Sequence, residues 1–219
     1  TLLEHLETIP VGDHAREQSF RMPVQWVNRP NLDFRGFSGQ IASGEVRPGD
    51  RVKVMPSGTE TTIARLVTYD GDLDIGHAGQ SVTITLEDEV DASRGDVIVT
   101  ADDPSGVADQ FQAHILWMSE KPMMPGRPYV MKIGAREATI TPSKLKHKIN
   151  VNTLAKEPSK SLGLNEIGVC NVSVDRDIAF DPYKASRATG GFIMIDRMTN
   201  NTVGMGLLNF ALRRASNIH

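Results

Sequence analysis

The sequence predicts an all-β chain of two consecutive β-barrels behind a short N-terminal helix. Three observations carry this reading. β-Branched residues recur in short alternating runs, such as Val52 and Val54, Val82 and Ile84, and Val97 and Val99. Turn chemistry separates these runs at intervals of about 8–12 residues, the rhythm of a barrel or sandwich. The chain has 219 residues, 39% hydrophobic and 23% charged, enough for two soluble domains of roughly 100 residues each.

The helix comes first. Thr1-Leu2-Leu3-Glu4 has the form of a capping box, and Leu2, Leu3, Leu6 and Ile9 share one helical face. Pro10 and Gly12 stop it. It has no core of its own, so residues 1–17 are expected to be the last helix of an upstream domain plus a linker. From residue 18 to 103 the pattern is strand and turn. Val24, Trp26, Ile41, Ile63 and Val67 lie on strands, and Arg47-Pro48-Gly49-Asp50, Pro56-Ser57-Gly58 and Asp70-Gly71-Asp72 are turns. Residues 104–110 read as a linker, following the polar turn at 101–106. The second barrel spans 111–212. Its expected strands are 113–118, 129–133, 138–141, 148–152, 168–174, 191–195 and a final run over 203–212. Residues 213–219 form a tail.

Charge and cysteine content bound the function. Net charge is −3, but residues 18–103 carry −6 and residues 107–219 carry +6. The two halves attract each other or face partners of opposite sign. No apolar run approaches the ~20 residues of a membrane helix, and no signal peptide is legible. The single cysteine, Cys170, excludes an internal disulfide and fits a reducing, cytoplasmic setting.

Few residues carry chemistry. No Gly-Lys pair occurs, so there is no phosphate loop of the form G-x-x-x-x-G-K-[ST]. No two of the six histidines share metal-ligand spacing, and Cys170 sits in an apolar strand as a core residue. Catalytic, cofactor and metal residues are therefore expected to be absent. Lys132, Arg136, Lys144, Lys146, His147 and Lys148 form a basic stretch, read as a solvated sheet face rather than an RNA or phosphate site. Aromatics are 5% of the chain and none interleaves with these lysines, so nucleic acid is a poor partner. Asp33-Phe34-Arg35-Gly36 matches the D-x-x-G of a GTPase switch, but without a phosphate loop it has nothing to sense. The loop itself is the better signal. Arg29, Asn31, Asp33 and Arg35 lie between Pro30 and Phe34 and form the candidate partner contact.

A family resemblance runs through nearly the whole chain. Arg21-x-Pro23-Val24, Gly39-Gln40-Ile41-Ala42-Ser43-Gly44 and Ser93-Arg94-Gly95-Asp96-Val97-Ile98 resemble the second domain of translation-factor-like GTPases. Phe111-x-Ala113-x-Ile115-x-Trp117, Gly190-Gly191-Phe192-Ile193-Met194-Ile195-Asp196 and Asn200 to Gly206 are similar to the third. The stretches Val27 to Gly36, Val67 to Gly71 and Val151 to Leu154 resemble, more narrowly, the GTP-hydrolysing large subunit of bacterial sulfate adenylyltransferase. The tail from Asn209 resembles the link to a fused adenylylsulfate kinase in the bifunctional form.

The resemblance implies two barrels like the second and third domains of elongation factor Tu. It implies a non-catalytic region of a subunit that couples GTP hydrolysis to adenylylsulfate synthesis from ATP and sulfate. GTP and Mg would bind in a missing upstream GTPase domain. The expected partners are that domain, the ATP sulfurylase small subunit and a C-terminal adenylylsulfate kinase domain. The alternative is the tRNA-binding barrels of a translation elongation factor.

Overall fold

A computed structural model describes residues 1–8, 15–31 and 34–212. It contains one seven-residue helix, α1 (Leu2–Thr8), and two β domains. The Thr1 hydroxyl accepts from the Glu4 amide at 3.2 Å, the side-chain bond expected of an N-cap. Leu2, Leu3 and Leu6 are all exposed, so this helix has no core among the described residues.

The first barrel contains β1 (Arg21–Pro23), β2 (Trp26–Asn28), β3 (Gly36–Gln40), β4 (Glu45–Val46), β5 (Arg51–Met55), β6 (Thr59–Thr68), β7 (Gly71–Leu73), β8 (Gly76–His77), β9 (Ser81–Leu86) and β10 (Val97–Thr100). Its main ladder runs β1-β10-β5-β6-β9-β3-β2, all antiparallel. A bridge between Arg21 and Ser43 ties β1 to the segment between β3 and β4. Inward side chains alternate along each strand, as Val52/Val54 and Val82/Ile84 predict, and pack with Phe20, Phe37, Ile41 and Leu66.

The second barrel contains β11 (Gly106–Trp117), β12 (Tyr129–Ile133), β13 (Arg136–Ile149), β14 (Lys156–Glu157), β15 (Ile167–Phe180), β16 (Gly191–Ile195) and β17 (Thr202–Ala211), with a single helical turn, α2 (Arg187–Gly190), before β16. The order β12-β16-β17-β11-β15-β13 closes on itself through the β12–β13 pairing. Closure leaves β14 as a short edge on β13. Trp117 and Tyr129 pack edge to face at one end of the core, and Phe111 and Phe180 do so at the other.

Two local departures from the sequence reading have clear causes. The segments expected at 138–141 and 148–152 are one 14-residue strand, β13. Two β-bulges, between Pro142 and Lys144 and between Leu145 and His147, absorb the proline and the broken alternation that split it on paper. Strand β11 already begins at Gly106, inside the stretch read as linker, because Gly106 to Ala108 pair with Phe180 to Ile178.

Candidate functional site

The loop between β2 and β3 carries the candidate contact residues. Asn28 still pairs with Gly36, so the loop is pinned at its base. Arg29 and Asn31 are exposed and Asp33 lies outside the described residues. Arg35 returns to the barrel: its guanidinium stands 5.5 Å from the centroid of the Phe37 ring and 3.3 Å from the Asp91 carboxylate. Of the expected set, Arg29 and Asn31 thus lie at the surface and Arg35 is held against Phe37 and Asp91.

Beside the loop is a shallow hollow of about 290 Å³. Arg29, Arg35 and Arg65 line it together with Glu87, Asp88 and Glu89. Arg65 is held away from free rotation by two bonds to Asp72, at 2.7 and 3.0 Å, and this guanidinium holds the Asp72 carboxyl below the ordinary carboxylate range. Thr85 also lines the hollow, and its hydroxyl is buried without a hydrogen-bond partner. Cations and carboxylates facing one another across a polar hollow can bind a surface carrying both signs. No nucleophile paired with a base lines it among the described residues.

Sequence reasoning missed a second arrangement, where the barrels meet. Arg21 and Asp181 are 160 positions apart and both nearly buried, with side-chain exposures of 6% and 12%. Arg21 donates through Nε at 3.1 Å and through its terminal nitrogen at 3.3 Å, a two-point pair. Asp181 also accepts from the Ser105 hydroxyl at 3.0 Å and the Thr189 hydroxyl at 2.7 Å. The Asp103 carboxyl is held low first by a hydrogen bond from Ser19 and also by nearby Arg21, against a partial desolvation that raises it. A second ion pair, Arg136 with Asp96, spans the junction. Met55, Val97 and Val99 of the first barrel pack on Ala179 of the second. Gly95, at φ +93°, lets the turn approach Arg136, whose Cα would lie 2.8 Å from any added Cβ. Composition hinted at mutual attraction through opposite net charges, but nothing in the sequence pairs position 21 with position 181.

The remaining sequence signals lie in the second barrel. Cys170 is fully buried in the second core, and burial pushes its thiol up to about 11. His114 lies on the outer face, with Nδ1 2.9 Å from the Asn209 side-chain oxygen. Within the basic stretch, Lys132 pairs with Glu137, Arg136 with Asp96, and Lys148 with Glu166 and Glu157. Among the described residues no three His, Cys, Asp or Glu side chains are grouped to hold a metal, and no helix is long and apolar enough to cross a membrane. The residues present do not form a guanine-nucleotide site: a phosphate cradle needs a glycine-rich loop ending in Gly-Lys, which this sequence lacks.

Comparison with known proteins places the barrels in a family. Residues 37–99 match the family model for elongation factor Tu domain 2, and residues 110–209 match the model for the GTP-eEF1A C-terminal domain-like family. A bifunctional enzyme NodQ of Rhizobium sp. (strain N33) is 51% identical over 219 residues, covering 100% of this chain and 34% of that protein. Sulfate adenylyltransferase subunit 1 of Alteromonas mediterranea is 47% identical over 207 residues, covering 94% of this chain and 44% of that protein. The chain belongs to the family of sulfate adenylyltransferase subunit 1 and its bifunctional relatives. Another member, the bifunctional enzyme CysN/CysC of Xylella fastidiosa, is 47% identical and extends well beyond it, with 35% of its length matched. The chain therefore spans about a third to under half of the family members it matches. The crystal structure of sup35 complexed with GDP shares the two-barrel fold at a TM-score of 0.82 over 97% of this chain and 52% of that one, at 20% identity.

Proposed function

We propose that this chain is the two-barrel, non-catalytic region of a GTPase subunit of sulfate adenylyltransferase. Such a subunit couples GTP hydrolysis to the synthesis of adenylylsulfate from ATP and sulfate. The carrying observation is identity of 47–51% to sulfate adenylyltransferase subunit 1 and the NodQ-type enzymes across essentially the whole chain. An upstream domain would bind GTP and Mg, a small ATP sulfurylase subunit would join sulfate to ATP, and in a bifunctional form an adenylylsulfate kinase would follow.

The chain's own residues supply a rigid body and a contact. The Arg21–Asp181 and Arg136–Asp96 pairs favour movement of the barrels as one piece when a nucleotide-sensing domain changes state. Arg29, Asn31, Asp33 and Arg35, with the hollow beside them, are the proposed contact with the catalytic subunit. The alternative, a pair of tRNA-binding barrels, draws on the shared two-barrel architecture and the basic second barrel.

Analytical ultracentrifugation of the chain with the small sulfurylase subunit from the same source tests this, with tRNA titrated in parallel. A stable protein complex, lost on R29E/R35E substitution, is the expected result. Binding to tRNA without binding to the subunit would overturn the sulfate-activation reading and leave the family intact.

A further inference from the structure

The outer face of the second barrel carries a second, unassigned surface. Cross-strand pairing places Ile193, Met205, Leu116, Ile167 and Ile149 in one row across β16, β17, β11, β15 and β13. Paired residues of an antiparallel ladder share a face, and these alternate with the core residues Met194, Ile115, Trp117 and Leu208. The row is therefore an apolar stripe on the outside. Ile193 and Met205 are 38% and 36% exposed, and the other three are half-buried. Four strand spacings of about 4.8 Å make it about 19 Å long.

The stripe has a charged flank. It ends at Lys156, which pairs with Ile149 on the edge strand. The neighbouring row is Leu207, His114, Val169 and His147, and the next pairs Gln112 with Asn171 and Asn171 with Lys144. The bulge at Leu145/His147 leaves Lys146 exposed beside them. Lys148 is taken by Glu166 and Glu157, whereas Lys144, Lys146 and Lys156 have no carboxylate at ion-pairing distance among the described residues. Burial and the adjacent Lys156, His114 and Lys146 keep His147 below its ordinary value, so the positive charge at neutral pH belongs to the lysines.

We infer that this face docks an acidic amphipathic helix of a separate partner protein. About 13 helical residues span 19 Å at 1.5 Å each. Their apolar side would cover the stripe, and glutamates or aspartates on one flank would meet Lys144, Lys146 and Lys156. A nucleic-acid backbone answers the lysines but offers nothing to the isoleucines and methionine. The surface is independent of the 29–35 loop and of the sulfate-activation reading.

The test uses the 219-residue chain, labelled at its methionine methyls, titrated with a synthetic 14-residue helix bearing leucines on one face and glutamates on the other. The expected result is saturable binding reported at Met205, weakened by salt. It should weaken at least about tenfold in both I193E and the exposed double variant K144E/K146E. Equal binding of the same peptide with lysines for glutamates, or no binding of the glutamate peptide, would overturn the inference. So would self-association of the chain that I193E abolishes, which makes a second copy the occupant. Displacement of the peptide by duplex RNA at equal concentration would overturn it in favour of nucleic acid.

Discussion

Glu166 illustrates how one carboxylate can organise a barrel end. It accepts from Lys148 Nζ at 2.7 Å and from the Gly163 amide at 2.8 Å. The first bond, then the second, holds its carboxyl below the ordinary value, against a smaller opposing desolvation. A carboxyl lowered in the folded state contributes stability above its unfolded pKa of about 4.3 and loses it as pH falls through the folded value. E166Q should therefore be less stable than the parent at pH 7, and the gap should close as the pH drops through the acid range below about 4. Urea midpoints measured across that range check it. A pH-independent gap would mean that Glu166 acts by shape alone. Arg35 shows the limit of reading single residues: the loop spacing marked it as a contact, but only its position over Phe37 and beside Asp91 shows that it is already engaged.

Strand β13 is the element whose behaviour depends most on tertiary context. Its two bulges place one extra residue each, Ser143 and Lys146, and so keep Leu145 in the core while His147 and Lys144 face outward. Because side chains alternate with a period of two, removing a residue from the regular part of the strand, such as Thr139, would turn everything on one side of it to the opposite face, whereas removing the bulged Lys146 leaves Leu145 opposite Cys170 and His147 opposite Val169. Deletion of Thr139 should thus cost about 2–3 kcal/mol, whereas deletion of Lys146 should stay within about 1 kcal/mol. Chemical denaturation of the two variants separates these outcomes, and equal losses would show that Lys146 is not the dispensable extra residue of the ladder. In the sequence, Pro142 and the alternating lysines looked like a break between strands. The neighbour β15 overrides that signal by offering a continuous partner from Ile167 to Val174.

At the scale of the whole molecule, the junction decides whether there are two bodies or one. The Asp181 carboxylate is nearly buried and accepts from Arg21, Ser105 and Thr189. Arg21→Met leaves it without its counter-charge, at a cost of about 3–5 kcal/mol. Calorimetry should show one unfolding transition for the parent chain and two for the variant, as each barrel then melts alone. A single unshifted transition would mean that the apolar contact of Met55, Val97 and Val99 with Ala179 suffices to couple them. The coupling matters for the proposed role, since a lever transmits a nucleotide-driven movement only if its two halves do not flex.

The sequence by itself determined the all-β class, the two-barrel division and the family, because strand alternation, turn residues and ordered short motifs are local properties of the chain. It also marked the 29–35 loop, where charged residues interrupt the strand pattern. Only the tertiary structure decided the Arg21–Asp181 junction, the closure of the second barrel through β12 and β13, and the apolar row running across five strands. Each of these joins residues far apart in the chain, and register between distant strands is set by the packing of the whole barrel, not by any one segment.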